Sequence, residues 1–161
     1  MPKVSIIMPT FNYAQYIRYA MDSIMEQAYK DFEVLVIDDG STDNTREILK
    51  TYNSNEKIRY IFQEHKGHSA ALNCGLINAK GDYITFLDSD DLFMPDKLEL
   101  QVKAMESSGP QVGLIYSWWC YIDQADNILP EMVSHHLVGY VLKRLLFNCI
   151  FTMNSTLIRK E

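Results

Sequence analysis

Several large classes of protein are excluded by what this chain lacks. No apolar run reaches the roughly 18 residues that a membrane-spanning helix needs. Cysteine occurs three times in 161 residues, at Cys74, Cys120 and Cys149. An odd number at such wide spacing supplies neither a disulfide framework nor a metal-ligand motif. A reducing, cytoplasmic setting is therefore expected, with any longer parent peripheral at the inner face of the membrane. The N-terminus enters an apolar strand almost at once, so no secretory signal is expected. Without one, the sequon Asn154-Ser155-Thr156 is a chance match. Basic residues are outnumbered, 15 Lys and Arg against 21 Asp and Glu, which argues against a nucleic-acid partner. Glycine is sparse at seven residues. None forms a Gly-x-x-x-x-Gly-Lys-Ser/Thr phosphate loop, nor a Gly-x-Gly-x-x-Gly after the first strand, so a dinucleotide fold is not expected.

What the chain does have is acid at the ends of strands. The apolar run Tyr83-Ile84-Thr85-Phe86-Leu87 reads as a strand buried on both faces and opens into Asp88-Ser89-Asp90-Asp91. Two such carboxylates about 4 Å apart repel by roughly 4 kcal/mol at an effective dielectric of about 20. Their oxygens suit a hard cation such as Mg²⁺ or Mn²⁺; a solvated acidic turn would carry the same residues. A second run, Phe32-Glu33-Val34-Leu35-Val36-Ile37, ends in Asp38-Asp39-Gly40-Ser41-Thr42-Asp43. A third, Val4-Ser5-Ile6-Ile7-Met8, ends in Pro9-Thr10-Phe11-Asn12-Tyr13. Ligands of open α/β sheets bind outside the carboxyl ends of the strands, where all three clusters fall.

The rest of the pattern fits an α/β fold. Ile17, Ala20, Met21, Ile24 and Ala28 recur at helical spacing after the first strand. Ile48, Leu49 and Tyr52 follow the second, with Ser41 or Thr42 as the N-cap. A strand over Ile58 to Phe62 precedes a helix from about Ser69 to Ala79, with Ala70, Cys74 and Ile77 facing inward. Pro95 opens another helix, burying Leu98, Val102 and Met105. This alternation predicts a parallel sheet with right-handed crossovers. Beyond Gly109-Pro110 the reading is mixed, and it continues the same sheet. A strand covers Val112 to Tyr121 and a turn Asp123 to Asn127. A helix follows over Val138 to Phe147, then a last strand over Phe151 to Ile158. Trp118 and Trp119 point to opposite faces of their strand, one into the core and the other free to offer a platform to a sugar face.

A cation held by Asp90, helped by Asp88, has a clear chemical use, since it can bridge two phosphates of a nucleotide diphosphate as that group leaves. The Asp38/Asp39 end accepts hydrogen bonds only, which suits an N–H such as that of uracil. Tyr13 offers a stacking face or helix-entry packing. Gly67 either brings backbone close to a ligand or makes an ordinary turn. An EF-hand loop from Asp88 would need glycine where Phe93 stands. A response-regulator receiver or phosphoaspartyl hydrolase would need acid where Pro9-Thr10 stands. His135-His136 are adjacent, poor geometry for one metal, and are read as solvent-facing.

These segments together resemble family 2 glycosyltransferases, which have the GT-A fold. Val4 to Asn12 is similar to the family's opening, Asp38 to Asp43 to its nucleotide-binding turn, and Gly67 to Gly75 to its third segment. Gly81 to Asp91 is similar to the segment carrying its Asp-x-Asp motif. The resemblance covers residues 3 to about 125 in order and spacing. It implies that Thr10, Tyr13 and Asp39 contact the nucleoside, that Asp38 supports their turn, that Asp88 meets the ribose or donor sugar, and that Asp90 ligates Mn²⁺ or Mg²⁺. Pro9, Asn12, Gly67 and Ser89 complete the expected nucleotide-binding set. A single GT-A domain is expected, with 1–108 as its nucleotide-binding half and 109–161 beginning its acceptor side. The expected activity is inverting, metal-dependent transfer of a sugar from a nucleotide-diphospho-sugar, UDP-linked first, to a glycan or lipid-linked acceptor.

Two positions depart from the family pattern. No acidic pair follows the last strand before Glu161, so the general base is expected beyond that residue and the chain is read as a fragment. Asp123, Asp126 and Glu131 are poor substitutes for it. Leu72 stands where many relatives place Arg, and Lys66 is the nearest replacement. Two rivals remain: a complete, non-catalytic nucleotide-sugar-binding module, and a nucleotidyltransferase, whose Gly-rich basic loop is missing. An exposed final strand would offer a pairing edge to a second copy.

Overall fold

The computed structural model describes residues 1–52, 54–123, 125, 127–133, 138–141 and 152–160. The chain runs β1 (Val4–Thr10), α1 (Ile17–Met25), β2 (Phe32–Asp38), α2 (Thr45–Lys50), β3 (Ile58–Phe62), α3 (His68–Asn78), β4 (Tyr83–Phe86), α4 (Lys97–Ser107) and β5 (Leu114–Tyr116). It continues through β6 (Trp119–Ile122), β7 (Ile128–Val133), a 3₁₀ turn (Met153–Ser155) and β8 (Thr156–Arg159). Six strands form one mixed sheet in the order β3-β2-β1-β4-β8-β5, and β6 and β7 form a separate hairpin. Strands β1 to β4 are parallel, and β8 runs antiparallel to both β4 and β5. The expected α/β architecture is thus the observed one.

The order of strands creates the site. From β1 the chain winds outward through β2 and β3, then returns to place β4 on the other side of β1. Such a reversal opens a crevice at the carboxyl ends of the two central strands. Residues of β1 alternate between the sheet's two faces. Val4, Ile6 and Met8 pack with Val34, Val36, the α1 residues Ile17, Met21 and Ile24, and the α4 residues Leu98, Val102 and Met105. Ile7 packs on the other face with Leu35, Ile37, Phe86 and Ala71 of α3. These apolar strands are buried on both faces, which is why each reads as a continuous hydrophobic run.

Five local expectations are corrected. Helix α3 buries Ala71 and Gly75, whereas Ile77 is 84% exposed. Gly75 sets that face, because a Cβ there would overlap the Ile7 side chain. Helix α2 starts after Asn44, with Asp43 Oδ1 accepting the Thr45 N–H at 3.0 Å, so neither Ser41 nor Thr42 is its cap. The strand expected over Val112 to Tyr121 breaks in two. Ser117 N donates to Ser155 O at 2.9 Å, and the chain then leaves the sheet for the hairpin. Neither tryptophan is core: Trp118 is exposed, and Trp119 meets Tyr121 edge-on at 4.9 Å. Finally, the last strand is not an edge, since β8 lies between β4 and β5.

Helix α4 begins two residues after Pro95 and buries Leu98, Val102 and Met105 as expected. The Asp123 turn forms, with Oδ1 accepting from the N–H groups of Ala125 and Asn127. Residues 138–141 are not helical. The remainder of that expected helix, Phe151, His135, His136, Asp126, Cys149 and Glu161 lie outside the described residues.

Candidate functional site

The crevice at the switch point is a cleft of about 370 Å³. Its floor and one wall come from Pro9, Thr10 and Phe11 at the end of β1, with Tyr13 beyond. Asp39 follows β2, Asp88, Ser89 and Asp90 follow β4, and His65, His68 and Ala71 enter from α3 and the loop before it. Register explains the convergence. Thr10 pairs with Asp38, and Asp39 N donates to Thr10 O at 2.9 Å, so Asp39 emerges beside Thr10. Leu87 N donates to Ile7 O at 3.0 Å, which brings the acidic loop out on the opposite side of β1.

Asp39 is 3% exposed and holds its surroundings together. Its Oδ1 accepts from Gln63 Nε2 at 2.6 Å and Lys66 N at 2.9 Å. Its Oδ2 accepts from Gly67 N at 2.8 Å and lies 2.8 Å from His65 Nδ1. Burial pushes the carboxyl up, but the donors from Lys66, Gln63, Gly67 and His65 outweigh it and hold the group below the usual range. Gly67 has φ 90° and ψ 163°, a conformation essentially confined to glycine. That backbone turns its N–H onto Asp39, and Gly67 itself does not line the cleft.

Asp38 and Asn12 also stand behind the cleft lining. Asp38 is fully buried, accepting from Ser41 N at 2.8 Å and from the Tyr60 hydroxyl at 2.6 Å. Asn12, at φ 58°, accepts from Thr42 N at 2.8 Å and receives Asp43 N at 3.3 Å, while its own N–H donates to Ser41 Oγ at 3.0 Å. It splices the ends of β1 and β2. Asn12, expected in the nucleotide-binding set, is outside the cleft lining. Leu72 packs partly buried against the α3 side of the core, and Lys66 reaches the site through its backbone N–H.

On the opposite wall Asp88 is partly buried, Ser89 buried and Asp90 exposed. The Tyr13 phenol is pushed up, first by the Asp90 carboxylate, then by burial and Asp88. Asp91 does not line the cleft. Its carboxyl is raised by burial and by the charges of Asp90 and Asp88. Among the described residues no group of three or more His, Cys, Asp or Glu side chains is arranged to hold a metal ion by itself. Two carboxylates, Asp88 and Asp90, share the wall. Among the described residues two buried hydroxyls, those of Thr10 and Thr45, have no protein hydrogen-bond partner, and of these only Thr10 lies in the cleft lining.

Two features escaped the sequence reading. Phe11 and His65 stack at 4.1 Å between ring centroids, 25° between planes, across the cleft's edge. Asn154 reaches the acidic loop from the turn before β8. Both pair residues remote in sequence, and only the folded register brings them together.

Comparison with known proteins identifies the family and the fold. The family model described as Glycosyl transferase family 2 matches residues 5–153. Glycosyltransferase GlyA of Streptococcus pneumoniae is 45% identical over 140 residues, covering 85% of this chain and 19% of that protein. An uncharacterized glycosyltransferase of Rickettsia felis is 37% identical over 157 residues, covering 96% and 25%. The chain spans between 22% and 40% of the length of the first curated relatives it matches. Among solved structures, S. aureus TarS 1-349 in complex with UDP superposes with a TM-score of 0.62 at 31% identity, over 65% of this chain and 32% of that one. Mannosyltransferase PcManGT from Pyrobaculum calidifontis, in complex with GDP-Man and Mn²⁺, gives 0.66 at 31% identity, over 78% and 37%.

Proposed function

The chain belongs to glycosyltransferase family 2, with the GT-A fold, and from that premise we propose that its cleft binds the nucleotide-diphospho-sugar donor of an inverting transferase. The sugar passes to a glycan or lipid-linked acceptor, with residues 1–108 forming the donor half and 109–161 beginning the acceptor side. One observation carries this reading above the rest. The buried, unmet hydroxyl of Thr10 lies in a crevice walled by Asp39 on one side and Asp88 and Asp90 on the other. A buried hydroxyl without a partner costs about 1–3 kcal/mol, and a bound ligand supplies that partner.

The roles follow from the walls. Asp39 receives the nucleoside with Thr10 and Tyr13. An acceptor-only carboxylate suits the N–H of uracil, which puts UDP first among donors. Asp39 already meets four donors, and a carboxylate has about four lone-pair sites. A base N–H therefore replaces the Gln63 or His65 contact. Phe11 and His65 offer a stacked face at the same edge.

Asp90 and Asp88 would hold Mn²⁺ or Mg²⁺, and their hard oxygen donors fit such an ion. When bound, the ion neutralises charge on the departing diphosphate. Solved relatives carrying UDP, and GDP-Man with Mn²⁺, support that donor chemistry. Among the described residues the cleft has no carboxylate besides Asp39, Asp88 and Asp90. We place the general base that takes the acceptor's proton outside the described residues.

The deciding experiment is calorimetric titration of UDP, with and without Mn²⁺. Binding that depends on the metal is expected. A folded sample that binds none of UDP, GDP and dTDP under either condition overturns the reading.

A further inference from the structure

Resting on that donor reading, we infer that Asn154 is a positioning residue for the donor site: its carboxamide sorts the carboxylates of segment 88–91, tying Asp91 outside the cleft and Asp88 in place in its wall while Asp90 stays unbraced.

The bonds define the sorting. Asn154 Oδ1 accepts the Asp88 backbone N–H at 3.2 Å, and Nδ2 donates to Asp88 Oδ2 at 3.1 Å. The same Nδ2 donates to a carboxylate oxygen of Asp91. No such bond reaches Asp90, which is exposed on the cleft wall with Tyr13. One amide therefore uses its acceptor and its donor on two of the three acids. The third, Asp90, takes no bond from Asn154, and Asp88 lines the cleft beside it.

The residue can only act this way from a fixed base, and its turn is one. Ser155 and Thr156 are each 2% exposed. Ser155 O accepts from Gln101 Nε2 at 2.8 Å, and Thr156 O from Thr85 Oγ1 at 2.6 Å. Lys97 Nζ lies within hydrogen-bond reach of both partners, 3.3 Å from Thr85 Oγ1 and 3.0 Å from Gln101 Oε1. The turn is thereby tied to β4 and α4, the elements that flank the acidic loop.

Loss of Asn154 frees the Asp91 carboxylate to turn towards the site where the diphosphate binds, so that a third acid faces it. The test compares wild type, Asn154→Ala, Asp91→Asn and the double variant in the full chain, by titration of UDP with Mn²⁺ and of Mn²⁺ alone. Asn154→Ala is expected to weaken UDP binding about tenfold, within the coupling range of contacting residues, without weakening Mn²⁺ alone. Asp91→Asn by itself is expected to bind like wild type, and when combined with Asn154→Ala to recover most of the loss.

A merely structural role predicts no such recovery, so a loss that Asp91→Asn leaves unchanged overturns the inference. So does an Asn154→Ala variant that binds UDP as well as wild type. If Asn154→Ala loses its far-UV signal, the isosteric Asn154→Asp puts like charge against Asp88 and Asp91. It is expected to lose at least as much, and wild-type affinity there is equally fatal. A wild type that binds no nucleotide overturns the donor reading, and this inference with it. Binding by wild type with no effect of the variants overturns the inference alone.

Discussion

The hydroxyl of Tyr60 donates to Asp38 Oδ2 at 2.6 Å, from β3 to the last residue of β2. Burial, and then Asp38, push that phenol above its ordinary pKa, so it stays a donor. The adjacent acids Asp38 and Asp39 are thereby divided, one anchored inward and one turned to the cleft. Tyr60→Phe leaves a fully buried carboxylate with one donor fewer. It should lower stability by about 1–3 kcal/mol. Urea unfolding at neutral pH reads this directly, and an unchanged midpoint would show that the bond carries no net stability.

Thr10 separates stability from binding. Its buried hydroxyl has no partner in the protein, so Thr10→Val should be neutral or slightly stabilising without ligand. The same change should weaken nucleotide binding by about 1 kcal/mol, the usual worth of one hydrogen bond. Thermal unfolding and UDP titration on one preparation check both halves. A variant that is destabilised yet binds normally would contradict the assignment.

Asp90→Ala should abolish metal-dependent nucleotide binding while leaving the fold intact, because Asp90 is exposed and supports no described element. Affinity in excess Mn²⁺ equal to that of wild type would remove Asp90 from the metal site.

Gly67→Ala tests the backbone that feeds Asp39. At φ 90° a side chain is strained whatever the space around it. A cost of about 1–3 kcal/mol is expected, with weaker nucleotide binding as the Gly67 N–H leaves Asp39. Unchanged thermal stability would show that the loop relaxes freely.

Stability should respond to pH at both ends. Glu33, Asp39 and Asp43 have pKa values lowered by their hydrogen-bond donors against the opposing effect of burial. Their contribution is complete above the unfolded values, about 4, and is lost as pH falls below them. Lys97 behaves in the opposite sense. Burial lowers it to about 7, against about 10.4 in the unfolded chain. Between those values the unfolded chain holds a proton that the folded chain has shed, so this group's contribution rises with pH. Lys97→Met should unfold at pH 7 no earlier than wild type, and wild type should gain on it towards pH 10. Parallel melting curves across that range would refute the assignment.

Much of this was legible in the chain. Strands β1, β2 and β4 are nearly continuous apolar runs because both of their faces are covered, and the acid after β2 and β4 marks the crevice. Seven expected residues, Pro9, Thr10, Tyr13, Asp39, Asp88, Ser89 and Asp90, line one cleft. Illegible were features that depend on a partner far away in sequence. Ile77 fits a helical stripe, yet Gly75 turns the helix so that Ile77 faces out. Asn12 and Asn154 are both polar residues beside strands, and only pairing decides that each braces carboxylate-bearing loops. The run from Val112 to Tyr121 carries no glycine or proline at its break, because a bond to Ser155 ends the strand there.

Strand β8 has a consequence for how the protein comes into being. It fills the gap between β4 and β5, although it is made long after both. While synthesis proceeds, β4 is a nascent edge whose free N–H and C=O groups can template pairing with another chain. Contacts so distant in sequence also close late. The donor half can assemble on the ribosome from neighbouring β-α units, whereas the sheet stays open beside β4 until β8 emerges. A stalled or clipped product that ends before β8 would therefore be a candidate for chaperone capture, with its acidic loop unbraced.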